Sequence, residues 1–150
     1  MPPLLETLSA HRSIRKFSGR PVAPDLLRSL VSAAQCASTS HHVQAYTIIQ
    51  VTDPDNRRAI ADMAGPQPWV AKSPVFLVFC ADLTRLVHAC RRHHIDPETG
   101  WAEQLLVATV DTALVAQSLM LGAESAGLGG VFIGGIRNDP DLVSDLLHIP

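Results

Sequence analysis

The sequence predicts an α+β fold, a small sheet with helices on its faces, and three observations carry that prediction. Stretches with apolar residues at helical spacing alternate with short strand-like runs, Tyr46-Thr47-Ile48-Ile49-Gln50-Val51 and Val75-Phe76-Leu77-Val78-Phe79-Cys80. From Trp101 to Ala126 runs a proline-free pattern whose apolar residues cover nearly the whole circumference, which reads as a central buried helix. The chain has 150 residues, 47% hydrophobic and 17% charged, a composition that suits one globular domain over 1–150.

In chain order, Leu4, Leu5 and Leu8 fall on one side of a short helix over 3–9. Gly19-Arg20-Pro21 breaks the chain. Pro24 and Asp25 then open a helix that ends near Ala37, since proline suits the first helical position and an acid the first turn. After the strand at 46–51, Asp53 caps a helix with Pro54 at its first position, and Gly65 stops it. Gly65-Pro66-Gln67-Pro68 reads as a loop, and the apolar run at 75–80 as a strand covered on both faces. Residues 83–94 are helical, and Pro97 and Gly100 mark another loop. Glu103, Asp111, Gln117 and Glu124 interrupt the long helix throughout, which argues against a membrane span. Val131-Phe132-Ile133, bracketed by glycines, reads as a third strand, and Asp139 to Leu147 as a last helix.

The charge pattern excludes some classes of function. A net charge of −2 leaves no electrostatic footprint for nucleic acid. Met1-Pro2-Pro3-Leu4-Leu5-Glu6 lacks the basic and apolar regions of a signal peptide. Cys36, Cys80 and Cys90 are odd in number and lack a Cys-x-x-Cys spacing, which favours reduced thiols and a cytoplasmic location. Cys90 and His94 could share a helix face, yet no third ligand has a suitable spacing, so the sequence offers no metal site.

Three constellations can bind a ligand. His11-Arg12-Ser13-Ile14-Arg15-Lys16-Phe17 packs three fixed cations and a hydroxyl into seven residues. Guanidinium groups match phosphate two-pronged, a hydroxyl adds a neutral donor, and Ile14 and Phe17 can tie the segment to a core. A solvated basic turn is the competing reading. Ser38-Thr39-Ser40 follows a helix and can bond a polar ligand or merely turn the backbone. Gly134-Gly135 lets a flat ligand lie against bare backbone, or makes a tight turn. Gly127-x-Gly129 is not a dinucleotide fingerprint: Phe132 stands where the third glycine belongs, and a helix, not a strand, precedes it. An anion clamp, a hydroxyl loop and a glycine platform without an evident acid–base pair suit a site where a cofactor carries the chemistry.

These motifs resemble those of the nitroreductase family, in the branch of oxygen-insensitive NADPH nitroreductases and NADPH–flavin oxidoreductases. The matching stretches are His11-Arg12-Ser13-Ile14-Arg15, Ser38-Thr39-Ser40 with Gln44, Cys80-Ala81-Asp82, Ala102-Glu103-Gln104, Val110-Asp111-Thr112-Ala113 with Gln117, and Gly127 through Gly135. The resemblance implies a nitroreductase-like three-layer α-β-α sandwich, C-terminally truncated because family members continue past the point where this sequence stops. It implies bound FMN, with the phosphate and ribityl chain held by His11, Arg12, Ser13 and Arg15. Ser38, Thr39, Ser40 and Gln44 would lie along the flavin, Gln67 would make another contact, and Phe132, Ile133, Gly134 and Gly135 would flank the ring. It implies a homodimeric enzyme that takes a hydride from NADPH or NADH and passes electrons to nitroaromatics, quinones or free flavin by a ping-pong route. The alternatives in other classes are a non-catalytic flavin-binding or assembly protein and an inactive fragment.

Overall fold

The computed structural model describes residues 2–149; Met1 and Pro150, the outermost residues of the terminal readings above, lie outside the described residues. The elements in order are α1 (Pro3–Ala10), α2 (Pro24–Ala34), β1 (Tyr46–Gln50), α3 (Pro54–Met63), α4 (Pro68–Lys72), β2 (Leu77–Ala81), α5 (Thr84–Arg92), α6 (Ala102–Ser125) and α7 (Pro140–Leu147). Short 3₁₀ turns stand at Ser40–His42 and Gly134–Arg137. The chain divides into two compact units, one from residues 1–24, 50–78 and 123–150, the other from 25–49 and 79–122. β1 and β2 pair in a two-stranded sheet. Val51 donates to Phe76 and Asp82 donates to Ala45, a pairing that runs antiparallel.

In the first unit, the Asp53 side chain accepts from the Asp55 and Asn56 amides at 2.8 and 2.9 Å, the N-cap expected before Pro54. Asp139 caps α7 in the same way through the Leu142 amide at 3.0 Å. Ile60 and Val70 are buried, and Arg57 ties α3 to α4. Its guanidinium donates to the Val70 carbonyl at 2.9 Å, to the Ser73 hydroxyl at 2.7 Å and to the Ser73 carbonyl. Burial pulls the Arg57 pKa below its ordinary value. α4 starts at Pro68, the last residue of the loop reading, and is not legible in the sequence because five residues are too few to show a period.

The expected third strand is absent among the described residues. Ile133 has an extended backbone, φ −110 and ψ 100, but the segment 128–133 builds no ladder. A backbone bond links it to a distant segment, from the Ile14 N–H to the Gly130 carbonyl at 2.9 Å. A strand needs a partner, and conformation alone does not supply one.

In the second unit Ala34, Tyr46 and Val115 form a buried cluster flanked by Ile48, Phe79 and Leu119. α2 stops at Ala34, before Ala37, because its last turn tightens: Cys36 donates to Ala33 and Ala37 to Ala34, both three residues back. Thr47 donates to the Asp82 carboxylate at 2.5 Å, the chief reason the Asp82 pKa lies below the ordinary aspartate value. α6 forms where its pattern predicts, but the all-round burial expected of it is not seen within this chain. One stripe is buried, through Ala108, Asp111, Val115 and Ala116. Leu105, Leu106, Val110 and Leu114 are 43–66% exposed on the other side. An apolar circumference sets what a helix could bury; this single chain covers about one face of it.

Candidate functional site

The basic segment is irregular backbone between α1 and α2. Ile14 and Phe17 are half-buried, whereas His11, Arg12, Ser13, Arg15 and Lys16 are exposed, which is the division the sequence predicts. The anchor is the glycine run after α6. Gly130 accepts from the Ile14 amide, and a side chain added at Gly129 would meet Ile14 at 2.8 Å. Gly129 therefore leaves room for the Ile14 side chain against bare backbone and is not part of a nucleotide fingerprint.

The cations above this anchor are open to a ligand. Arg12 Nε donates to the Ala10 carbonyl at 3.2 Å, and the Arg15 guanidinium stands 5.9 Å from the centroid of the Trp69 ring, a cation–π distance. Among the described residues, no carboxylate lies within ion-pair distance of Arg12, Arg15 or Lys16. His11 differs: its Nδ1 is 2.7 Å from Glu124 Oε1 at the end of α6.

Gln67 and the glycine pair meet in the same unit. Gln67 Nε2 donates to the Ala64 carbonyl at 2.6 Å. A side chain added at Gly135 would lie 2.2 Å from that carbonyl oxygen and 2.9 Å from Gln67 Nε2. A side chain at Gly134 would meet the Arg137 guanidinium at 3.2 Å. Phe132 is exposed and Ile133 half-buried beside this bare backbone. The structure thus joins the basic segment to Gly129–Gly130 and Trp69, and Gln67 to Gly135. Trp69, whose Nε1 is buried without a hydrogen-bond partner among the described residues, is a site element the sequence reading missed. Its position two residues after Gln67 and its aromatic type were the available signals.

The hydroxyl loop belongs to the second unit. Ser38 and Ser40 are exposed, Thr39 and Gln44 half-buried. The loop is strained: His41, His42 and Gln44 all have positive φ, between 49 and 55. Asp111, only 1% exposed, holds it. One carboxylate oxygen accepts from the Ser40 amide and the other from the Ala45 amide, both at 3.1 Å. Gln44 Nε2 donates to the Gln35 carbonyl at 3.1 Å, and Arg85 donates to the Gln44 carbonyl at 2.6 Å. Ser38, Thr39 and Ser40 line an open groove of about 330 Å³ whose other wall is Leu106, Val110 and Leu114 of α6. The sequence shows Asp111 as an acid inside an apolar helix; its role as the loop's anchor appears only in three dimensions.

Chemically, the first unit offers uncommitted cations on a fixed backbone and a stretch of bare peptide beside an amide side chain. These parts suit a ligand with an anionic end and a flat end. The second unit offers hydroxyls over an apolar wall.

A family model described as "Nitroreductase family" matches residues 8–150. The oxygen-insensitive NADPH nitroreductase of Salmonella typhimurium is 43% identical over 150 residues, all of this chain and 61% of that protein. The FMN reductase (NADPH) of Bacillus subtilis is 44% identical over 148 residues, 97% of this chain and 59% of that protein. Among solved structures, the NADPH:FMN oxidoreductase from Vibrio harveyi complexed with NAD+ superimposes with a TM-score of 0.93 at 39% identity. That match covers 99% of this chain and 63% of the other. The chain thus spans about 60% of the length of the curated relatives it matches.

Proposed function

The chain belongs to the nitroreductase family, and from that premise we propose that residues 1–150 form an FMN-binding oxidoreductase domain. The observation that carries this reading is the set of cations on the anchored segment 11–16 that lack carboxylate partners. Such a segment fits a phosphate monoester, and the bare backbone at Gly134–Gly135 fits a flat ring. Bound FMN would supply two-electron chemistry, taking a hydride from NADPH or NADH and reducing a nitroaromatic, a quinone or free flavin in a ping-pong cycle.

The protein's part is to hold and orient. Arg12 and Arg15 take the phosphate, with His11 and Ser13 as further donors. Trp69 keeps the Arg15 guanidinium in place by its ring. Phe132, Ile133, Gly134 and Gly135 present main chain to the ring, and Gln67, fixed through the Ala64 carbonyl, adds an amide. In the second unit, Ser38, Thr39, Ser40 and Gln44 offer hydroxyls and an amide for a polar ligand on the loop that Asp111 holds. The free thiols of Cys36, Cys80 and Cys90 agree with a cytoplasmic location.

Arg12→Ala is expected to cost roughly 1.5–3 kcal/mol of FMN binding, the range for a charged hydrogen bond, or about a ten- to hundredfold loss of affinity. Flavin fluorescence titration reads this directly. Unchanged affinity would remove Arg12 from the clamp.

A homodimer completes the proposal. The exposed Leu105, Leu106, Val110 and Leu114 make an apolar face on α6 that a second copy of this chain can cover. Val110→Asp places a charge in that face and is expected to shift the protein to monomer in light scattering after size-exclusion chromatography. A dimer that survives this change would place the interface elsewhere.

A further inference from the structure

We infer that Glu124 is a positioning residue for the anion site, acting through His11; the inference rests on the FMN reading above. Glu124 lies in the last turn of α6, where a carboxylate faces the negative end of the helix dipole. Its side chain is only 12% exposed, and its Oε2 is buried without a hydrogen-bond partner among the described residues. Two unfavourable circumstances thus attend this acid, and its hydrogen-bond partner is the first residue of the basic segment, 113 positions away. The His11 Nδ1–Glu124 Oε1 separation of 2.7 Å lies in the charge-assisted range.

A carboxylate accepts, so Nδ1 is the donor in this pair and Nε2 is the nitrogen left for a ligand. The His11 side chain is 41% exposed, so a ligand can reach it. With Nδ1 committed to Glu124, a protonated ring presents an Nε2–H that donates to an anionic oxygen. Glu124 also fixes the ring plane, as outer carboxylates do for metal-bound histidines. The specific consequence is selectivity: the pair favours ligands ending in a phosphate monoester over the same ligand without it.

The sign of the effect separates this role from simple charge. A carboxylate that only added negative potential near the site would weaken phosphate binding, and its removal would tighten it. A positioning carboxylate does the opposite. The test compares FMN with riboflavin, which lacks the phosphate, by fluorescence titration of the full chain and its Glu124→Gln, His11→Gln and double variants. Glu124→Gln is expected to lower the FMN-to-riboflavin affinity ratio roughly three- to tenfold, with riboflavin binding kept as the internal sign of a folded site. His11→Gln should lose as much, and the double variant no more than either, because the two act as one unit. If Glu124→Gln does not fold, His11→Gln against wild type, with ¹⁵N signals of the His11 ring, carries the same comparison. An unchanged or raised ratio in Glu124→Gln, additive losses in the double variant, or a proton absent from Nδ1 overturns the inference. Should Arg12→Ala weaken FMN while Glu124→Gln does not, this inference alone fails. If Arg12→Ala leaves FMN binding unchanged, or wild type binds no FMN, the reading beneath it fails too.

Discussion

Asp111→Ala is expected to lower the stability of the protein by about 2–4 kcal/mol and to loosen the 38–44 loop. Asp111 is 1% exposed and bonds two backbone amides, those of Ser40 and Ala45, at 3.1 Å each. A hydrogen bond to a charged group is worth about 1.5–3 kcal/mol, and removing the acceptor leaves each amide to find another. The Ala45 amide is buried and finds none easily, while Ser40 is exposed enough for its amide to turn to water. The loop also carries three non-glycine residues at positive φ, and a strained backbone persists only where its surroundings hold it. Asp111→Asn keeps the shape but replaces one acceptor by a donor, so it should still lose a sizeable part. Urea denaturation reads the loss, and faster amide exchange at Ser40 and Ala45 than elsewhere in the unit would locate it. A variant with unchanged midpoint and unchanged exchange would mean that Asp111 does not anchor the loop.

Gly135→Ala is expected to cost about 1–3 kcal/mol of stability, the usual range for overpacking, and to weaken FMN binding as well. The added Cβ would sit 2.2 Å from the Ala64 carbonyl oxygen, which belongs to main chain and cannot swing aside as a side-chain tip does. Relief requires the end of α3 or the 134–137 turn to move. Gln67 bonds that same carbonyl, so its amide moves with it. Gly134→Ala is the informative control: its contact is with the mobile end of Arg137, and the expected loss of stability is smaller. Equal stability of the two variants would show that the Ala64 contact is not tight in solution.

Features that depend on near neighbours were legible in the sequence. Asp53-Pro54 and Asp139-Pro140 mark helix starts because the cap bonds amides two or three residues on. The split of the basic segment into half-buried Ile14 and Phe17 and exposed cations follows from side-chain type alone. What escaped depends on partners far along the chain. Val131-Phe132-Ile133 has strand composition but no ladder among the described residues. The period of α6 shows a helix; it does not say how much of the helix a single chain covers. Asp111, Glu124 and Trp69 gain their roles from residues 66–71, 113 and 54 positions away, a separation that no local pattern records. The motif order from His11 to Gly135 nevertheless pointed to the family that the matches over 8–150 establish.

The central claim is that these residues hold FMN. The most direct measurement is the visible absorbance spectrum of the purified chain after mixing with FMN and gel filtration, run beside Arg12→Ala. The prediction is a flavin spectrum that co-elutes with the wild-type protein in stoichiometric amount and is reduced or lost in the variant. A wild-type protein that elutes folded and colourless would contradict the claim.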